Sequence, residues 1–175
     1  MSTFTDRIIR AAQLDPQLYE EVEADSGSLG EAMKVVLLSS LAAGLGAIGQ
    51  LGLFGLVLTT VSALMGWYIW AYLTYAIGTY LLPEARTQAD LGQLLRTTGF
   101  AAAPGLLRLF GFIPAVGPLI VFAASIWMLV AMVVAVRQAL DFTTTGRALM
   151  VCFVGFLVQA LVIAGIFLLF GEPLY

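Results

Sequence analysis

Residues Val35–Pro83, VVLLSSLAAGLGAIGQLGLFGLVLTTVSALMGWYIWAYLTYAIGTYLLP, run for 49 positions without an Asp, Glu, Lys or Arg. A water-soluble fold keeps charge on the outer face of each surface helix or strand, so charge would recur every few residues. One bilayer crossing takes about 20 apolar residues, so this stretch holds two. The whole chain agrees: 61% of residues are hydrophobic, 11% are charged and the mean hydropathy is +0.97. Ordinary globular domains carry about 25% charged residues. The apolar stretches are continuous, unlike the alternating segments of a transmembrane barrel, and a helix satisfies its own backbone in lipid. The fold class expected is all-α, a polytopic membrane helical bundle.

Outward from that stretch, five transmembrane helices are expected, over residues 29–49, 56–82, 97–116, 119–136 and 148–170. Ser28 and Glu31 have capping-box spacing at the start of the first. Gln50 to Gly55 reads as a chargeless tight turn. The third stretch holds Pro104, Gly105, Arg108, Gly111 and Pro114, which predicts a kinked or broken helix. Arg137 and Asp141 after the fourth have the spacing of an intrahelical pair. The middle of the second span carries Trp67, Tyr68, Trp70, Tyr72 and Tyr75, where interfacial aromatics do not belong. Either that span is shifted by several residues or these rings pack inside the bundle.

Residues 1–27 form a cytoplasmic segment of short N-terminal amphipathic helices, and residues 28–171 form the membrane domain. Phe4, Ile8, Ala11 and Ala12 share one helical face opposite Asp6, Arg7, Arg10 and Gln13. Such a helix either lies on a membrane surface or packs against the protein's own spans. Asp15-Pro16 has the form of a cap and first turn for a second helix. The first 34 residues are too polar for a secretory leader, so the first span is expected to serve as the insertion signal. With five spans, Arg7, Arg10, Lys34, Arg86, Arg96, Arg137 and Arg147 fall on one side and no Lys or Arg on the other. The positive-inside rule then predicts a cytoplasmic N-terminus and an outer C-terminus.

The chain has one cysteine, Cys152, and no histidine. Intrachain disulfides and Ser-His or Cys-His pairs are excluded, and a zinc site is disfavoured. Gly44, Gly46, Gly49, Gly52 and Gly55 lack the lysine and strand of a phosphate loop and suit close helix packing. The acidic residues from Asp15 to Glu31 lack the EF-hand pattern and read as a solvated face. Ser39, Ser40, Thr59 and Thr60 are expected to bond their own helix backbones. No catalytic residue, metal ligand, cofactor or nucleic-acid partner is expected.

Arg108 is the one basic residue within a span. A charge at the bilayer centre costs at least ~2.5 kcal/mol, and no acidic residue shares a span with it. Its partners are then carbonyls freed by Pro104, Gln159 or Gln50, a lipid phosphate, or another protein. One reading is a ligand or lipid-headgroup site built from Arg108, Pro104, Gly105 and Gln159; the other is an arginine snorkelling from a short, tilted helix. Gln159 suits an interhelical hydrogen bond. Ala131, Ala135 and Ala139, and Ala160 with Ala164, permit close helix approach within the bundle or in a homodimer.

The third span opens Thr98-Gly99-Phe100-Ala101-Ala102-Ala103-Pro104. With the polar N-terminus, five packed spans and minimal outer loops, this resembles the Yip family of integral membrane proteins, named for interaction with Rab/Ypt GTPases. Gly99, Phe100 and Pro104 stand where members have a Gly-aromatic step followed by proline. The resemblance covers residues 28–170. The Asp-Leu-Tyr-Gly-Pro signature of eukaryotic members is absent, the nearest text being Leu14 to Tyr19, and the Ala/Gly/Leu-rich spans are similar to the bacterial branch. The resemblance implies a non-enzymatic membrane organiser or adaptor in the cytoplasmic (inner) membrane. Its partners would be the lipid bilayer, other membrane proteins or a second copy. Arg108 in a broken helix raises the alternative of a small lipid or solute translocator.

Overall fold

The computed structural model describes residues 2–46, 48–85 and 87–170, and the ordered elements among them are all helical. Arg86, the side chain of Gln50 and the tail from 171 lie outside the described residues. Two short helices come first, α1 (Phe4–Ala12) and α2 (Pro16–Ala24). Thr3 caps α1 by accepting from the Asp6 amide, and Asp15 caps α2 by accepting from the Gln17 amide. An oxygen side chain here satisfies an amide that has no partner within the helix. Phe4, Ile8, Ala11 and Ala12 of α1 join Leu18, Tyr19 and Val22 of α2 in one core with Phe100, Ala131 and Ala135. Of the two positions open to α1, the structure has it against the protein's own helices. The buried Tyr19 hydroxyl donates to the Ala11 carbonyl at 3.2 Å and ties the two together.

The longer elements are α3 (Leu29–Gly46), α4 (Ile48–Ala76), α5 (Leu91–Phe100), a 3₁₀ helix (Ala103–Phe112), α6 (Gly117–Ala139) and α7 (Thr145–Phe170). Helix α4 is broken at Gly52, whose φ is +62°, and a π-helical turn (Ile77–Leu81) continues it. The turn expected at 50–55 is thus present as the break at Gly52, preceded by a short helical segment from Ile48, and the long apolar helix runs from Phe54. Among the described residues, four stretches are long and apolar enough to cross a membrane: Ser26–Gly46, Phe54–Leu81, Gly117–Ala139 and Thr145–Val162. The third hydrophobic stretch is not among them. Its break is sharper than a kink, with α5 ending at Phe100 and the 3₁₀ helix starting at Ala103.

The contacts define two ends of the bundle. At the polar end, Arg7 pairs with Asp25 and Glu31 at 3.1 and 2.9 Å, Gln138 donates to Glu20 at 2.7 Å and Arg147 donates to the Pro83 carbonyl at 2.9 Å. Gly46, Gly111 and Gly117 converge at the far end. α5 and the 3₁₀ helix run parallel to α3, with Gly99 against Ala32 near the start and Gly111 near Gly46 at the finish.

Several local expectations are corrected. Ser28 donates its hydroxyl to the Val22 carbonyl at 2.9 Å, and Glu31 accepts from Arg7, so they form no capping box. A capping box is formed instead by Asp90 with Gln93, and it starts α5 at Leu91, six residues before the third span expected from 97. Asp141 has φ +52° and leaves the helix, so Arg137 turns to the Phe142 and Thr143 carbonyls and the Thr145 hydroxyl. The acidic face is neutralised in part, since Arg10 holds Asp15 at 2.7 Å and Glu21 at 2.9 Å. Those hydrogen bonds keep both carboxyls below the usual carboxylate range.

Candidate functional site

Why the third stretch breaks is written in its residues. Pro104 opens the 3₁₀ helix at a position where its missing N–H costs nothing. Gly99, Phe100 and Pro104, the residues of the family resemblance, are all buried. A Cβ on Gly99 would stand 2.7 Å from the Ala32 Cβ and 3.2 Å from the Ala32 backbone, so α3 and α5 meet at backbone distance only because this residue is glycine. Lower down, a Cβ on Gly46 would collide with the Arg108 carbonyl oxygen. The 3₁₀ helix is therefore seated directly on α3.

Residues three apart eclipse one another in a 3₁₀ helix, which brings Arg108 over Gly105. The guanidinium fills the space that a side chain at 105 would take, and a Cβ there would lie 2.8 Å from Arg108 Nη2. Arg108 Nε donates to the Gly105 carbonyl at 3.3 Å and Nη2 to the Ser39 hydroxyl at 3.1 Å. Ser39 is seven residues before Gly46, about 10 Å along α3. The backbone of Arg108 lies at the far end, against Gly46, while its guanidinium turns inward to the level of Ser39. This direction is the reverse of snorkelling.

The guanidinium lines a 420 Å³ cavity bordered by α3, α4, α6, α7 and the broken third stretch. Ser40, Thr98, Ser125 and Gln159 add polar groups, and among the described residues no carboxylate lines it. Trp67 and Trp70 form part of the wall, so two of the five mid-span aromatics pack inside the bundle. Trp67 donates to the Leu95 carbonyl and the Thr98 hydroxyl, both at 3.2 Å. Trp70 stacks on Phe156 with ring centroids 4.3 Å apart. Tyr68 and Tyr72 face outward, each 54% exposed.

Of the sequence-derived site, Arg108, Gly105 and Gln159 thus come together, and Pro104 positions them from the core. Among the described residues, no hydrogen bond joins Gln159 to Arg108, whose side-chain partner is Ser39. Ser40, Thr59 and Thr60 do bond their own helix carbonyls; Ser39 does not. Ala131, Ala135 and Ala139 are fully buried within the bundle, whereas Ala160 and Ala164 are exposed.

A second polar cluster lies at the polar end, and sequence reasoning missed it. Arg96, counted in the sequence only among the basic residues of one membrane side, is buried on α5 and donates to the Val22 and Glu23 carbonyls, capping the end of α2. Glu23 is buried beside it and accepts from Gln93 at 3.0 Å, while its Oε2 has no partner. Burial pushes the Glu23 carboxyl up to about 7, with Asp141 and Glu20 adding to the effect. The only signal for this cluster was the capping spacing of Asp90 and Gln93.

The family model described as the Yip1 domain matches residues 17–167. No curated protein and no solved structure matches the chain.

Proposed function

The chain belongs to the Yip1-domain family, and from that premise we propose that it is a non-enzymatic membrane organiser, an adaptor that binds other membrane components through α1 and α2. The observation that carries this reading is the anchoring of those two helices. Arg96 holds the end of α2 to α5, and Trp127 on α6 donates to the Ala12 carbonyl at 2.8 Å. Glu20 and Glu21 stay exposed on the same platform. A partner that docks there is coupled to the membrane helices rather than to a loose tail. All five passes cross the bilayer in this reading. The broken third pass suffices because ten α-helical and ten 3₁₀ residues extend for roughly 35 Å, against a hydrocarbon core of ~30 Å. The polar end is cytoplasmic and the far end outside, by the arginine distribution, in the inner membrane of a bacterium.

Affinity purification of the full chain in mild detergent tests the adaptor reading. The expected result is a reproducible membrane-protein partner that is lost in Arg96→Ala. Repeated recovery without any partner sinks it.

The Arg108 cavity favours a second reading, a small lipid or solute translocator. Reconstituted vesicles decide this one. Flux should fall in Arg108→Ala, and unchanged lipid flipping and solute flux in that variant would remove translocation from consideration.

A further inference from the structure

The Arg108 guanidinium has five N–H donors and uses two of them, on the Gly105 carbonyl and the Ser39 hydroxyl. Among the described residues the remaining donors meet no carboxylate, because the cavity beside the guanidinium is lined by hydroxyls, an amide, two tryptophans and apolar side chains. An unpaired charge at membrane depth is costly, and hydrogen bonds from arginine to phosphate oxygens are among the strongest a protein makes. The cavity's volume of 420 Å³ falls in the ~300–1,000 Å³ range of small-molecule sites. Two of its lining residues, Leu129 on α6 and Phe156 on α7, are 43% and 45% exposed, so it opens sideways between these helices onto the surface that faces lipid.

We infer that this cavity is a lateral site for the phosphodiester of a phospholipid. Arg108 holds the phosphate, Ser39 and Ser40 lie within the same polar pole, and one acyl chain leaves past Leu129 and Phe156. The charge balance selects the class: one guanidinium matches one phosphodiester monoanion. A doubly charged phosphate would bring a second charge with no cation to meet it. The lateral opening selects a lipid over a free anion, since a soluble ion would have to cross hydrocarbon to arrive. Gly105 is part of the site, because any side chain there would displace the guanidinium. The inference deepens the cavity reading given above by naming the ligand, and it requires no transport.

Native mass spectrometry of the full chain, released from nanodiscs of mixed phosphatidylcholine, phosphatidylethanolamine and phosphatidylglycerol, tests it. The expected result is one phospholipid retained per chain, with retention about tenfold lower in Arg108→Gln, equivalent to ~1.4 kcal/mol. Leu129→Trp, at the exposed rim, should lower retention while thermal unfolding confirms an intact fold; it serves if Arg108→Gln does not fold. Equal retention by wild type and both variants overturns the proposal. So does a wild type that retains no lipid, including one stabilised by inorganic phosphate alone, which would make the site one for a free anion. Lipid retention without flux in vesicles rejects translocation and leaves the lipid site standing.

Discussion

Glu23 and Arg96 are a buried carboxylate and a buried guanidinium, each 8% exposed, and their chemistry is asymmetric. Arg96 is directed at the carbonyls that end α2, which favours a cation there. The Glu23 carboxyl has one donor, Gln93, for two oxygens. Its carboxyl is raised to about 7 in the folded protein by burial, then by Asp141 and Glu20, against an opposing Arg96. The folded state therefore binds a proton that the unfolded chain releases near the ordinary glutamate value. Stability from this group is fully present below that ordinary value and is lost as pH rises through about 7. In a pH series of thermal unfolding, wild type should lose roughly 1–3 kcal/mol across this window, and Glu23→Gln should be flat over it. A second test at this scale concerns Gly99. Gly99→Ala should cost about 1–3 kcal/mol by overpacking against Ala32, and Ala32→Gly in the same chain should restore part of it, as a double-mutant cycle would read.

The elements differ in how much of them the sequence disclosed. Long uncharged stretches announce α3, α4, α6 and α7 because lipid exposure removes charge from every face of a span. The Asp15-Pro16 start of α2 was legible for the same local reason that caps work anywhere. The Ser28–Glu31 box was a false match: both residues have stronger partners, Val22 and Arg7, brought in from α1 and α2 by tertiary packing. Pro104 predicted a break in the third hydrophobic stretch, but not a 3₁₀ helix, because hydrophobic spacing over ten residues barely separates a period of 3.0 from 3.6. Ser39 as the partner of Arg108 was beyond reach, being 69 positions away with no local signal. At this scale the link between α2 and α5 is testable. Arg96→Ala leaves two carbonyls without their donors, a loss of about 1.5–3 kcal/mol for hydrogen bonds to a charged group. Limited proteolysis should then cut after Arg7 and Arg10 much faster than in wild type, with the membrane helices still protected.

For the molecule as a whole, the proposed topology makes one demand: the polar and far ends face opposite compartments. Cys152 is the only cysteine and is buried, so single added cysteines report cleanly. Val116→Cys at the far end should react with a membrane-impermeant maleimide on intact cells. Thr143→Cys, in the exposed loop at the polar end, should react only after permeabilisation, and the same labelling of both would refute the topology. The 3₁₀ helix has its own implication for how the protein fits its bilayer. Ten residues wound this way reach about 20 Å, where an α-helix would reach about 15 Å. Were Pro104→Ala to let the segment rewind as α, its lower terminus would be drawn inward by some 5 Å, tugging the glycine-rich bend at Gly111 and Gly117 into the oil. Such shortening is met by thinning of the surrounding lipid, so if the third stretch crosses the bilayer as proposed, this variant should prefer thinner membranes than the parent.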